Sequence, residues 1–356
     1  MRYKTLLITG GAGFIGSNLA VGFKRKYTSL EVIALDNLKR RGSELNLPRL
    51  KENGIVFVHG DIRNPEDLVL EKKIDLLIEC SAEPAVLAGY GQNPRYIINT
   101  NLAGTINCLE FARLNKADMI FLSTSRVYPY NEINLIQVEE LESRFNWKTN
   151  SQIIGWSKHG FDVDFTTNGV KTLYGATKLA SELLLQEYMD AYGIKAVINR
   201  CGVIAGPWQF CKVDQGIFTF WMQAHYFKKK INYIGFGGKG KQVRDLLHVA
   251  DLFELIDIQS CSLDKISGEV YNVGGGRDIS LSLLELTQLC TLITGNHIKI
   301  GSETTNRLGD INIYITNNKK VTTKLGWQPK RNKKQILQDI FNWIKKNEKE
   351  LQKLWY

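Results

Sequence analysis

The sequence predicts an α/β protein built on a doubly wound parallel sheet, with a smaller mixed α/β lobe in its second half. Three observations carry this. Short apolar, β-branched runs alternate with helical patterns through roughly the first 200 residues, as successive βαβ units require. The first run, Thr5-Leu-Leu-Ile-Thr9, passes directly into Gly10-Gly-Ala-Gly13-Phe-Ile-Gly16, a glycine spacing that joins a strand to a helix through a tight turn. The second, Glu31-Val-Ile-Ala-Leu-Asp36, ends in a carboxylate 20 residues beyond Gly16.

The remaining elements follow in order. After the glycines, Phe14 to Lys24 reads as a helix. Ile55 to His59 is the third strand, Pro65 to Glu71 a helix, and Ile74 to Glu79 the fourth strand. A long helix runs from about Pro94 to Asn115, then come the strand Met119 to Ser123, a helix bearing Tyr174, and the strand Ala196 to Arg200. Residues 1–200 form a Rossmann-type nucleotide-binding domain to which part of 245–275 returns, and 201–356 are mainly a substrate-binding lobe. That lobe mixes short strands and helices around Gly235–Gly240 and Gly274–Gly276, and ends in an amphipathic helix from about Lys333 to Trp355. The active site is expected in the crevice at the carboxyl ends of the strands.

Bulk properties exclude several classes. The chain carries 46 Lys and Arg against 36 Asp and Glu, a net charge of +10. The excess is dispersed, with clusters at Lys228–Lys230 and around Lys330–Lys334, and nothing resembles a basic recognition helix. Solvated surface is the reading, with no nucleic acid as partner. Six cysteines lie scattered without metal-like spacing to the five histidines; they read as small buried apolar residues of a reducing cytosol, and no metal is expected. Arg2 and Lys4 precede an apolar stretch, but its glycines fit a nucleotide turn better than a signal peptide. No apolar run approaches membrane-spanning length, so a cytoplasmic protein is expected.

The chemistry is carried by Leu173-Tyr-Gly-Ala-Thr-Lys178. Four residues apart on a helix, the Tyr174 phenol and the Lys178 ammonium share a face. A cation there favours the phenolate and brings a group of ordinary pKa about 10 towards acid/base work near neutrality. Gly10 and Gly13 permit close approach to a pyrophosphate at the helix N-terminus, while Gly16 lets the helix pack on its strand. Asp36 accepts from an adenosine ribose and repels a 2′-phosphate, which favours NAD over NADP. Asp61 and Ile62, at the end of the third strand, lie where an adenine edge would sit. Ser123-Thr124-Ser125 closes the fifth strand, and the Thr124 hydroxyl is placed to bond the substrate oxygen that Tyr174 serves. Read alone, such a triplet is also an ordinary strand cap.

With these pieces the chain resembles the extended short-chain dehydrogenase/reductases that act on nucleotide sugars, over nearly its whole length. The matching segments are Thr9 to Gly16, Asp36-Asn37-Leu38, Asp61-Ile62-Arg63, Asn101 to Thr105, Ser123 to Tyr128, Tyr174 to Lys178 and Tyr271 to Gly275. Within that family it looks most like the CDP-paratose 2-epimerases, on Trp208-Gln209, Asp214-Gln-Gly216, Gly240 to Asp245 with Leu247-His248, and a long insert carrying Asp162-Val-Asp-Phe165. The resemblance implies NAD retained through turnover and held by Gly10, Gly13, Phe14, Ile15, Gly16, Asp36, Asn37, Asp61, Ile62, Ser81, Ala82, Asn101, Tyr174 and Lys178. It implies catalysis by Thr124, Tyr174 and Lys178, with Ser125, Arg126, Gln209, Arg244 and Arg307 towards the substrate, the last two at its diphosphate. A homodimer or higher oligomer is implied as well.

Departures from the family bear on the sugar and, at Arg126, on the reaction. Val203 stands where an Asn is usual, Pro129 where a Gly is usual, and Ser81 to Pro84 differ near the nicotinamide. Related dehydratases have an Asp-Glu pair after the threonine, whereas Thr124 is followed by Ser125-Arg126. A guanidinium stays protonated and carries no proton for water elimination. The expectation is an NAD-dependent epimerase acting by oxidation and re-reduction, at C2 of a CDP-linked deoxyhexose, with C4 epimerisation of another nucleotide sugar as the runner-up. A non-catalytic NAD-binding sensor or scaffold on the same fold is the rival of another class. Arg244 and Arg307 suit phosphate through bidentate bonds; each also reads as an ion pair, with Asp245 and Asp310 respectively. His248 and the stripe Phe218, Phe220, Trp221 read as packing.

Overall fold

The computed structural model describes residues 1–148, 152–211 and 215–354. Asp214 and Trp355, used above as a motif position and a helix end, lie outside the described residues. The chain divides into two compact units. The first comprises Met1–Val127, Leu173–Arg200 and Leu252–Tyr271; the second comprises Tyr128–Thr172, Cys201–Asp251 and Asn272–Tyr356.

The first unit is organised by a seven-stranded sheet. From one edge, its strands are Val56–His59, Glu31–Asp36, Thr5–Thr9, Leu76–Glu79, Asp118–Thr124, Ala196–Cys201 and Val270–Val273. In chain order this is 3-2-1-4-5-6-7, the Rossmann arrangement with its order reversing beside the first strand. The first five strands pair in parallel. Parallel strands covered on both faces read as unbroken apolar runs, and the burial shows why these do: Leu7, Leu77 and Met119 are fully buried, and so are their alternates Leu6, Ile8, Leu76, Ile78 and Ile120. On the Leu7 face, the core takes in Cys108, Leu109 and Ala112 of the helix Gly104–Asn115 and Leu185 of the helix Leu173–Tyr192.

Three predicted elements differ. The helix expected from Pro65 to Glu71 is only a 3₁₀ turn, Pro65–Leu68. Asp67 is drawn back to accept from the Asp61 amide at 2.8 Å, and the chain is already extended at Val69. The long helix after Pro94 is interrupted by a π-helical segment, Asn99–Ala103, between Arg95–Ile98 and Gly104–Asn115. Such wide turns concentrate at functional positions. The terminal helix is two helices, Lys333–Lys346 and Glu348–Leu354, because Asn347 leaves the helical region and turns its side chain back onto the Trp343 carbonyl at 2.8 Å.

In the second unit, Val243–His248 pairs with Val203–Ala205, Ser280–Ser282 and Ile313–Tyr314. The helices Ile217–Tyr226, Leu283–Thr294 and Lys333–Lys346 pack on one another. Phe218 and Trp221 are buried, as packing residues should be, whereas Phe220 is only half-buried. The insert before Tyr174 forms two small hairpins whose rings make one cluster: Phe161 stacks on Tyr314 at 5.2 Å and meets Phe165 at 4.7 Å and Trp147 at 5.7 Å. All six cysteines are free thiols, but the reading of them as buried holds only for Cys108, Cys201 and Cys290. Cys261 is exposed, within 3.5 Å of the Tyr27 hydroxyl. No helix among the described residues is long and apolar enough to cross a membrane.

Candidate active site

The glycine turn is sterically closed to larger residues. Gly10 has φ +65°, and a Cβ on Gly16 would lie 2.1 Å from the Gly10 carbonyl oxygen. The close approach that Gly16 allows is thus to the turn itself rather than to the strand expected. The strand contact falls to Gly11, to which the sequence reading gave no role: its Cβ would sit 2.6 Å from the Cα of Ala34. Gly11 stands in the motif between two assigned positions, and only the neighbouring strand reveals its use. The Gly13 amide donates to Gly10 at 3.0 Å, and Phe14 and Ile15 open the helix Phe14–Lys26. An open cradle ahead of a helix N-terminus fits a pyrophosphate.

Asp36 ends its strand nine-tenths buried, accepting from the Leu38 amide at 2.8 Å and the Ala12 amide at 3.1 Å. Burial pushes its carboxyl up, against the downward pull of those amides. Beside it, Asn37 donates to Asp61 at 2.8 Å. Burial would raise Asp61 too, but the Arg63 guanidinium and Asn37 overcome it and hold it down at about 2. Ile62 is buried, and the Ser81 amide faces the glycine turn, where a Cβ on Gly10 would meet it at 2.9 Å. Ser81 and Ala82 are half-buried in the segment leaving the fourth strand.

The helix Leu173–Tyr192 packs against the strand Asp118–Thr124 and the turn Ser125–Val127. That contact brings the elements of Thr124, Ser125, Arg126, Tyr174 and Lys178 together in one unit. Tyr174 is half-buried and Lys178 is 1% exposed, its Nζ 4.0 Å from the centre of the Phe121 ring. A desolvated ammonium on an aromatic face gains a cation–π attraction. Thr124 is buried, and its hydroxyl oxygen accepts from the Arg126 amide at 3.2 Å. Asn101 lies in the π-helical segment. Its side chain accepts from the Glu83 amide at 2.7 Å and donates to the Glu83 carbonyl at 3.1 Å, and its carbonyl accepts from Ser181 at 3.0 Å. Its polar atoms thereby brace the segment after the fourth strand.

Glu182 and Arg200 went unassigned in the sequence. Arg200 donates to Glu182 Oε2 from Nε and Nη2 at 3.0 and 2.8 Å and to Oε1 from Nε at 3.2 Å, and Ser123 donates to Oε1 of the same carboxylate. With Glu182 1% and Arg200 8% exposed, this clamp ties the Tyr174 helix to two strands. The available signal was Glu182 standing four residues after Lys178, on the same helix face.

The substrate candidates of the second unit are engaged internally. Gln209 donates to the Ile204 carbonyl at 3.1 Å and accepts from Thr219 at 2.6 Å. Arg244 donates to the carbonyls of Val243 and Ile311 at 2.8 and 2.7 Å, and lies 3.6 Å from Asp310. Asp310, the acid near Arg307 in sequence, lies within ion-pair distance of Arg244. Asp245, offered to Arg244, points away and accepts from the amides of Gly276 and Thr316 at 2.9 and 3.2 Å, as alternation along a strand demands. Arg307 is half-buried, its carbonyl accepting from the Asp310 amide at 3.2 Å. His248 is buried and neutral: burial lowers it to about 4, and its Nδ1 accepts from the Ala250 amide at 3.0 Å.

Comparison with known proteins bears on this arrangement. Residues 6–274 match the model of the NAD dependent epimerase/dehydratase family. A CDP-paratose 2-epimerase from Salmonella typhi is 33% identical over 95% of this chain and 98% of its own length. A putative UDP-glucose 4-epimerase from Methanocaldococcus jannaschii is 28% identical over 96% of this chain and 99% of its own. Among solved structures, a dTDP-glucose 4,6-dehydratase from Bacillus anthracis, in complex with NAD, superposes with a TM-score of 0.74 at 25% identity, covering 99% of both chains.

Proposed function

The chain belongs to the NAD dependent epimerase/dehydratase family, and we propose that it inverts one carbon of a nucleotide-diphosphate sugar, C2 of a CDP-linked deoxyhexose, by oxidation to a ketone and re-reduction. The observation that carries this reading is the 33% identity to a CDP-paratose 2-epimerase along nearly the full length of both chains. Arg126 supports it, standing where water elimination would call for a proton-carrying carboxyl group.

In this reading Gly10, Gly13, Phe14, Ile15 and Gly16 hold the pyrophosphate of NAD and Asp36 and Asn37 its adenosine ribose. Asp61 and Ile62 border the adenine, and Ser81, Ala82, Asn101 and Lys178 shape the nicotinamide end. Bound NAD supplies reversible hydride acceptance. Tyr174 takes the proton of the sugar hydroxyl and later returns it, Lys178 holds the phenolate and the ribose, and Thr124 fixes the reacting oxygen. The keto-sugar reorients before reduction on its other face. Ser125, Arg126 and Gln209 line the sugar, and Arg244 and Arg307 bind the diphosphate, which requires Arg244 to exchange its carbonyl partners for phosphate.

The second reading, C4 epimerisation, draws on the relative from M. jannaschii. Proton NMR of the purified protein with CDP-, UDP- and GDP-sugars separates the two by the carbon inverted. In heavy water the product should keep its original hydrogen at that carbon. Deuterium there sinks the hydride mechanism, and inertness towards every sugar favours a binding protein.

A further inference from the structure

The fourth strand, otherwise apolar, ends in a carboxylate that the chemistry above leaves unused: Glu79 is 0% exposed. Its register partners are Thr9 on one side and Phe121 on the other, so the three side chains stand in a row on one face of the sheet. Over the Phe121 ring sits the Lys178 ammonium, 4.0 Å from its centre. Glu79 Oε1 is 2.6 Å from the Thr105 hydroxyl, and Oε2 has no hydrogen-bond partner. Thr105 has one hydrogen to give and is also 2.8 Å from the Asn101 carbonyl, so the carboxylate is poorly supplied with donors. Burial accordingly pushes Glu79 up, and the Lys178 charge pulls it back.

We propose that Glu79 is a positioning residue for Lys178, its carboxylate the fixed counter-charge that keeps the ammonium protonated over Phe121, one helical turn from Tyr174. A buried charge is costly unless compensated, and the two charges on either side of Phe121 together set the field in which Tyr174 ionises. Other groups stand on the elements packed around the two side chains. On the helix Leu173–Tyr192 these are Tyr174 itself and Glu182, the latter neutralised by Arg200. On the helix Gly104–Asn115 it is Cys108, whose thiol burial and Glu79 keep protonated despite Lys178. The flanking strands add Thr9, Phe121 and Ser123, none charged.

The sign of the effect follows. A nearby negative charge raises the pKa of both a phenol and an ammonium, so removing it lowers both. Glu79→Gln should therefore move both limbs of the pH profile of kcat/KM to lower pH, by about one unit. The inference rests on the acid/base roles proposed above for Tyr174 and Lys178. It is tested on the protein as purified, by pH profiles and by ultraviolet phenolate titration, each variant read against the same variant carrying Tyr174→Phe. Expected are downward shifts by both methods for Glu79→Gln, and midpoints restored towards wild type in Glu79→Asp, which keeps the charge. If the amide does not fold, Glu79→Leu, uncharged and of similar volume, should show the same shift. Midpoints that stay at the wild-type values in the neutral variants overturn the proposal, whatever happens to the rate. A fully active Tyr174→Phe brings down the catalytic reading itself; an inactive one beside unmoved midpoints brings down Glu79 alone.

Discussion

In the mechanism proposed above Tyr174 and Lys178 divide one task between two side chains, and substitutions should separate them. Tyr174 is half-buried at the first turn of its helix, whereas Lys178 is buried against Phe121. Tyr174→Phe is therefore expected to leave fold and NAD content close to wild type while turnover falls by about 10² or more, the usual scale for a positioned acid/base group. Lys178→Ala should lose both rate and bound NAD, since in the proposed mechanism its ammonium serves phenol and ribose. Turnover and NAD content measured on the two variants check this; equal, mild effects would contradict it. Much of this was legible beforehand, because residues four apart on a helix meet regardless of tertiary context. Phe121, Glu79 and Glu182 were not, since their roles depend on which strands and helices come to lie side by side.

At the scale of elements, the Ser123–Glu182–Arg200 clamp fixes how the Tyr174 helix lies on the sheet. Removing one partner of a buried ion pair strands the other, at a cost of about 3–5 kcal/mol. Arg200→Ala should lower stability by that order in urea unfolding, and lower turnover as the helix loses its seat. The double variant Arg200→Met with Glu182→Gln should recover much of the stability; a single variant as stable as wild type would show that the clamp does not hold the helix. Strand boundaries were the most readable elements: Thr5–Thr9 and Glu31–Asp36 fall where the sequence puts them, because apolar runs bounded by turn residues have few alternatives. Helices failed where side chains compete for the backbone. Asp67 and Asn347 each bond the main chain nearby and stop a helix that periodicity alone would continue. In the second unit, Gln209 is held by the Ile204 carbonyl and the Thr219 hydroxyl, and Arg244 by the neighbouring Val243 carbonyl and the Ile311 carbonyl far along the chain, so the motifs named the residues but not their contacts.

For the whole molecule, the family's dependence on NAD turns the glycine cradle and Asp36 into a claim about stability. On the epimerase reading proposed above, the cofactor is reoxidised within each turnover and need not be released, so the protein as purified should carry NAD, mostly oxidised. Mass analysis of the nucleotide freed by denaturation should find NAD; NADP alone would contradict the role of Asp36. A ligand bound only by the folded state stabilises it by mass action, about 2.7 kcal/mol at 100 times its Kd. For a chain of this size such an increment raises Tm by several degrees. Stripped protein titrated with NAD should show that rise, and NADP at equal concentration should give much less, since in the role proposed for it the buried Asp36 carboxylate repels a 2′-phosphate. Asp36→Ala isolates the cause: it should narrow the gap between the two nucleotides by weakening NAD and admitting NADP. A gap unchanged in that variant would place the discrimination elsewhere, with Lys39, Arg40 and Arg41 the nearest charges in sequence.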